Sequence, residues 1–89
     1  MIRILLVEDN AADARLVYEM LKEDRPWRYH VTRAGSLGEV LRRLEGESFD
    51  VVLLDLGLPD SYGPQAVDPV LSAAPSVPVV ILSGLREES

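Results

Sequence analysis

A chain of 89 residues, 47% hydrophobic and 27% charged, makes one small domain that buries about 65% of its unfolded surface. Its net charge of −6 and lack of a basic stripe argue against a phosphate-reading nucleic-acid surface and disfavour an anionic-membrane surface; its lack of cysteine excludes disulfides, thiolate catalysis and zinc–thiolate sites. No apolar run reaches membrane length, and Glu8 and Asp9 interrupt the first run too early for a signal peptide, so a soluble cytoplasmic protein is expected.

The first strand is expected over Ile2–Val7. Its Ile4-Leu5-Leu6-Val7 run has the continuous apolar character of a strand buried on both faces of a parallel sheet. A helix follows, starting near Asn10 or Ala11 and ending near Asp24, with Ala14, Val17 and Leu21 on one face and Leu16 and Met20 beside it. Arg15 and Glu19 lie one turn apart on its wetter side. Arg25-Pro26-Trp27 ends it, because a residue before proline avoids helical geometry.

The second strand, Tyr29–Ala34, is the most polar and belongs at a sheet edge. Ser36 and Glu39 form a capping box for a second helix carrying Leu37, Val40, Leu41 and Leu44, with Gly46 as its C′ residue. The third strand is Val51–Leu54, followed by a loop containing Gly57, Pro59, Asp60 and Gly63. Pro69 interrupts the helical spacing of Val67, Val70, Leu71 and Ala74. Asp68-Pro69 is a good N-cap and N1 pair, which predicts a short helix over Pro69–Ala74 preceded by a turn. The fourth strand is Val79–Leu82.

Strands alternating with helices imply a parallel α/β sheet with right-handed crossovers. The natural order is 2-1-3-4, which matches the first four strands of the flavodoxin-like order 2-1-3-4-5. The C-terminal strand ends then share one edge, where open α/β sheets bind ligands. Glu8 and Asp9, Asp55, and Ser83 follow three of those ends and converge there.

Two carboxylates about 5 Å apart repel by roughly 3 kcal/mol at an effective dielectric near 20, and a third makes this worse. Such a group must be relieved by a proton or a cation. Mg2+ suits an all-oxygen site completed by waters and a phosphate, and the Gly57 carbonyl just beyond the third strand adds one more oxygen. With the ion in place, Asp55 becomes a nucleophile toward phosphorus, and Ser83 a hydrogen-bond donor to a phosphoryl oxygen.

Plainer readings compete at each position. Asp9 or Asn10 can simply cap the first helix, Asp60 is a turn residue, Asp50 starts the third strand, and serine after a strand is commonly a turn former. His30 is a lone strand histidine, Trp27 packs a loop, and Lys22 is a solvated helix residue.

Four segments together resemble the receiver domain of two-component response regulators. They are Ile4-Leu5-Leu6-Val7-Glu8-Asp9-Asn10, Val51-Val52-Leu53-Leu54-Asp55-Leu56, Leu58-Pro59-Asp60 with Gly63, and Val77-Pro78-Val79-Val80-Ile81-Leu82-Ser83-Gly84. The resemblance runs the length of the chain. It implies that Asp55 is the phosphoacceptor, charged by a histidine kinase or histidine phosphotransfer protein. It also implies that Asp9, Asp55 and the Gly57 carbonyl bind Mg2+ directly, that Glu8 does so through water, and that Ser83 is the switch hydroxyl. Receivers continue through a fourth helix, a fifth strand ending in a phosphoryl-contacting lysine, and a fifth helix. Here the only lysine is Lys22, and Tyr62 is in the wrong loop to be the aromatic switch partner. The expectation is therefore a receiver lacking its last strand and last two helices, a poor phosphate acceptor in this form, and prone to self-associate through the exposed edge of its fourth strand.

Enzymes on related sheets fit less well. Phosphatases with an aspartate nucleophile place a second aspartate two residues on, but Ala11 and Gly57 occupy those positions. Gly57 likewise breaks the Asp-x-Asp pair of toprim-type nucleotidyl transfer, and Glu8-Asp9 would repel a flavin phosphate. The remaining alternative is a non-phosphorylated receiver-like interaction or oligomerisation module.

Overall fold

The structure, a computed structural model, describes residues 1–24, 28–55, 57–58, 61–62 and 67–82. Strand β1 (Ile2–Val7) is central: Ile4, Leu5, Leu6 and Val7 are all buried, as a run without polar alternation requires. It pairs in parallel with β2 (Tyr29–Ala34) on one side and with β3 (Val51–Leu54) on the other. The next strands in the chain are the short β4 (Gly57–Leu58) and β5 (Ser61–Tyr62), and β6 (Val79–Ile81) then adds in parallel to β3. The main sheet order β2-β1-β3-β6 is the expected 2-1-3-4, with the polar β2 at an edge.

The pleat sends alternate residues to two cores. On one face Leu5, Val7, Ala34, Val52 and Leu54 pack with Phe49, with Val40 of α2 (Leu37–Gly46) and with Val70 of α3 (Val67–Ala73). On the other, Leu6 packs against Ala14 and Val17 of α1 (Ala11–Asp24), with Leu21, Val31, Leu53 and Leu82 half-buried around them. Leu16 and Met20, placed beside the core face by their spacing, are exposed, as are Val80 and Ile81 on β6.

Helix starts follow their caps. The Asn10 side-chain oxygen accepts from the N–H groups of Ala12 (2.9 Å) and Asp13 (3.0 Å), so Asn10 is the N-cap of α1. Ser36 caps α2 by accepting from the Glu39 N–H at 3.2 Å, but Glu39 reaches back to the N–H of Gly35 at 3.0 Å, one residue before the cap.

Four expectations need correction. Gly46 is the last residue of α2 rather than a left-handed C′ residue. The exit is made by the extended Glu47, whose N–H bonds the Arg43 carbonyl and whose carboxylate is held by Arg43 (3.0 Å) and Arg3 (3.4 Å). Helix α3 starts two residues early, at Val67, and ends at Ala73, with Pro69 inside its first turn. The first four helical N–H groups have no intrahelical acceptor, so a proline there loses no bond. Finally, the loop after β3 contains an antiparallel pair, with Gly57 opposite Tyr62 and Leu58 opposite Ser61. The fourth expected strand ends at Ile81, although the Leu82 N–H still bonds the Leu54 carbonyl at 2.9 Å.

At the end of the sheet remote from the acidic residues, Arg3 and Asp50 are bonded twice. The Arg3 N–H donates to the Asp50 carboxylate and the Asp50 N–H to the Arg3 carbonyl, both at 2.8 Å. The Arg3 guanidinium also lies 5.6 Å from the Phe49 ring centre.

Candidate functional site

Strand register builds the site. Val7 pairs with Leu54, so Glu8 and Asp55 are the first residues beyond two adjacent strands. The ladder continues through them: the Asp55 N–H donates to the Val7 carbonyl and the Glu8 N–H to the Ala34 carbonyl, each at 2.9 Å. The backbone directions of both residues are therefore set by the sheet. Asp9 follows Glu8 in the turn into α1.

The outcome is a cluster in which Glu8, Asp9 and Asp55 each offer a carboxylate oxygen, all within 4.8 Å of one another. Their environments differ. Glu8 is 1% exposed, Asp55 is half-buried with its Oδ2 sealed from solvent, and Asp9 faces water. Glu8 Oε2 accepts the Asn10 N–H at 3.1 Å, which folds its carboxylate back over the turn. The capping reading of the acids does not hold for α1, because Asn10 supplies the cap.

Three carboxylates at this spacing carry roughly 3 kcal/mol of repulsion per ionised pair at an effective dielectric of 20, less where Asp9 meets solvent. The donor set is hard, anionic and all-oxygen, which is what Mg2+ requires. Oxygens already within 4.8 Å of one another are close enough for one hard cation to be held by all three, directly or through water. The residues present thus fit a divalent cation.

Gly57 opens β4, two residues past Asp55. Ser83 lies outside the described residues, as do Trp27, Pro59, Asp60, Gly63 and Gly84. His30 is exposed on β2, and Lys22 places its ammonium 5.7 Å from the Tyr18 ring centre on α1.

Sequence reading passed over Arg33. Its Nε donates to the Glu8 carbonyl and its Nη2 to the Asp9 carbonyl, both at 3.0 Å. The available signal was an arginine next to last in the strand paired with β1, but using it requires the register.

Comparisons with known proteins agree with this geometry. A family model described as the response regulator receiver domain matches residues 4–89. The cell cycle transcriptional regulator CtrA of Caulobacter vibrioides is 35% identical over 85 residues, covering 96% of this chain and 36% of CtrA. The chain thus spans about a third of the length of the curated relatives it matches. Among solved structures, the non-phosphorylated HemR receiver domain from Leptospira biflexa superposes with a TM-score of 0.74 at 31% identity, covering 91% of this chain and 63% of that one. A chain in the complex of histidine kinase ThkA with response regulator protein TrrA gives 0.80 at 23% identity, a likeness of fold, covering all of this chain and 75% of that one.

Proposed function

The chain belongs to the response regulator receiver domain family, and on that premise we propose that it is the phosphoacceptor module of a two-component signalling pathway. Asp55 takes a phosphoryl group from a histidine kinase or histidine phosphotransfer protein, with Mg2+ held by Glu8, Asp9, Asp55 and the Gly57 carbonyl. The observation that carries this reading is the convergence of three carboxylate oxygens within 4.8 Å at the carboxyl edge of a parallel sheet. The solved complex of a kinase with a regulator of the same fold supports the class of donor.

The chemistry follows from the residues. A carboxylate oxygen of Asp55 attacks phosphorus as the P–N bond to the donor histidine breaks. The bonding pair leaves with the imidazole, and Asp55 becomes an acyl phosphate. Bound Mg2+ would offset the carboxylate repulsion and the charge on the transferred group. Burial and the Asn10 N–H hold Glu8 still, and Asp9 presents its carboxylate from the solvent side. Ser83 is the switch hydroxyl that then moves to the phosphoryl oxygens. The new dianionic group reorders the adjoining loop, and an output partner reads the change. Among the described residues no helix is long and apolar enough to cross a membrane, and the net charge of −6 disfavours direct nucleic-acid binding; both suit a cytoplasmic signalling module.

The test is intact mass after incubation with acetyl phosphate and Mg2+. The expected result is a single phosphoryl adduct on the chain. It should depend on Mg2+ and vanish in Asp55→Asn. An adduct that survives this substitution would refute the assignment.

A second reading, a receiver-like association module, is favoured by Val80 and Ile81. They are 46% and 40% exposed on β6, which among the described residues stands at the end of the main sheet opposite β2. Such a module self-associates through β6 and has no need of the ion, so a Mg2+ titration separates the two readings.

A further inference from the structure

Arg33 stands next to last in β2, opposite Leu6 of β1, on the same face as Val31. The residue lines an open groove of about 460 Å³ between α1 and the β2 edge, together with Leu6, Ala14, Tyr18 and Val31. Its guanidinium crosses the β1–α1 turn and donates from two nitrogens of one planar group to two successive carbonyls, those of Glu8 and Asp9, at 3.0 Å each.

The plainer reading is a solvated arginine on an edge strand, and the residue is exposed. Two features weigh against it. The carbonyls of Glu8 and Asp9 follow the last paired residue of β1 and precede α1, and each accepts from the same guanidinium, which is more than a solvated side chain does. The guanidinium also lies beside the N-terminus of α1, the positive end of the helix dipole, where a cation is disfavoured unless specific acceptors hold it. Carbonyls that carry the two ligand side chains are such acceptors. The contact suits arginine in particular, because its rigid fork spans adjacent acceptors while a lysine ammonium is a point charge on a flexible stem.

We propose that Arg33 is a positioning residue of the cation site: by bonding the Glu8 and Asp9 carbonyls it holds the acidic turn so that both side chains face Asp55. This rests on the reading of the trio as a Mg2+ site. The sign of the effect separates positioning from charge. As a mere positive charge, Arg33 opposes a dication, and removing it tightens binding. As a positioning group, it favours the dication, and removing it loosens binding even when a charge is retained.

The experiment is a Mg2+ titration of the whole 89-residue chain, followed by amide NMR, for wild type, Arg33→Lys, Arg33→Met and the same-strand control His30→Ala. Outer-shell partners of metal ligands are worth about 10- to 100-fold in affinity, and the exposed setting here puts the expected loss near the lower figure, about 10-fold, in both Arg33 variants. His30→Ala should match wild type. Without metal, hydrogen exchange at the Asn10 amide, which reports the Glu8 turn, should quicken in both Arg33 variants while Val52 in the core stays protected and the urea midpoint holds. Unchanged or tighter binding by Arg33→Met, or full retention by Arg33→Lys, would overturn the positioning role and leave the site standing. Absence of Mg2+ binding by wild type would overturn the site and this role together.

Discussion

Replacing Asp55 with asparagine should make the metal-free protein more stable, although asparagine is a poorer match to the proposed chemistry. Asp55 contributes to two of the three carboxylate pairs in a cluster no more than 4.8 Å wide. At an effective dielectric of 20 each pair repels by roughly 3 kcal/mol, and solvent around the exposed Asp9 screens its share. The Arg33 guanidinium on the adjoining turn offsets part of the remainder, so removing one charge returns about 1 to 3 kcal/mol, and the amide keeps nearly the same volume. For a domain of this size that raises Tm by at least about 4 °C. The same substitution removes a ligand. Wild type should gain about 2.7 kcal/mol at a Mg2+ concentration 100 times its Kd, whereas Asp55→Asn should gain little. Urea unfolding with Mg2+ and with chelator, on both proteins, reads all four values. Metal-free Asp55→Asn that is no more stable than wild type, or is stabilised equally by Mg2+, would refute the argument that repulsion among these carboxylates is relieved by the ion.

Two further outcomes follow from the fold. Asn10→Ala removes the acceptor for the Ala12 and Asp13 amides and should cost about 1 kcal/mol in urea unfolding, whereas Asn10→Asp should cost far less. If the β6 edge drives self-association, Val80→Lys and Ile81→Lys should each lower the weight-average mass measured by light scattering at high concentration, since charge on an edge strand opposes pairing. A wild-type protein that scatters as a monomer throughout would remove that mode of assembly.

The parts of the fold legible in the sequence are those set by strong, local signals. Ile4–Val7 and Val51–Leu54 are unbroken apolar runs, and only a strand covered on both faces uses them, so sheet order and the meeting of Glu8, Asp9 and Asp55 followed from topology. Capping chemistry placed the starts of α1 and α2 within a residue. Other features depend on context beyond the local window. Gly46 reads as a C′ glycine, yet the α2 exit is decided by Glu47 and its two arginine partners, one of them forty-four residues away on β1. Pro69 reads as a helix start because N1 is the favoured place for a proline, yet its missing N–H costs no bond at the third position either. Strands β4 and β5 have two residues each, too few to express a period. Leu16 and Met20 continue the helical spacing but find no cover among the described residues. Arg33 was invisible for a different reason: an arginine on a polar edge strand becomes informative only once Leu6 is known to lie opposite.

At the remote rim of the sheet Arg3 and Arg43 both pair with the Glu47 carboxylate, so opposite charges meet there, while at the other rim three carboxylates outnumber the one guanidinium of Arg33. Added electrolyte therefore acts in opposite directions at the two rims, loosening the attraction at the first and easing the strain at the second. Once a dication occupies the acidic rim both ends become attractive, and ionic strength can only weaken them. The salt dependence of stability should accordingly steepen, and take a single sign, when the ion is bound.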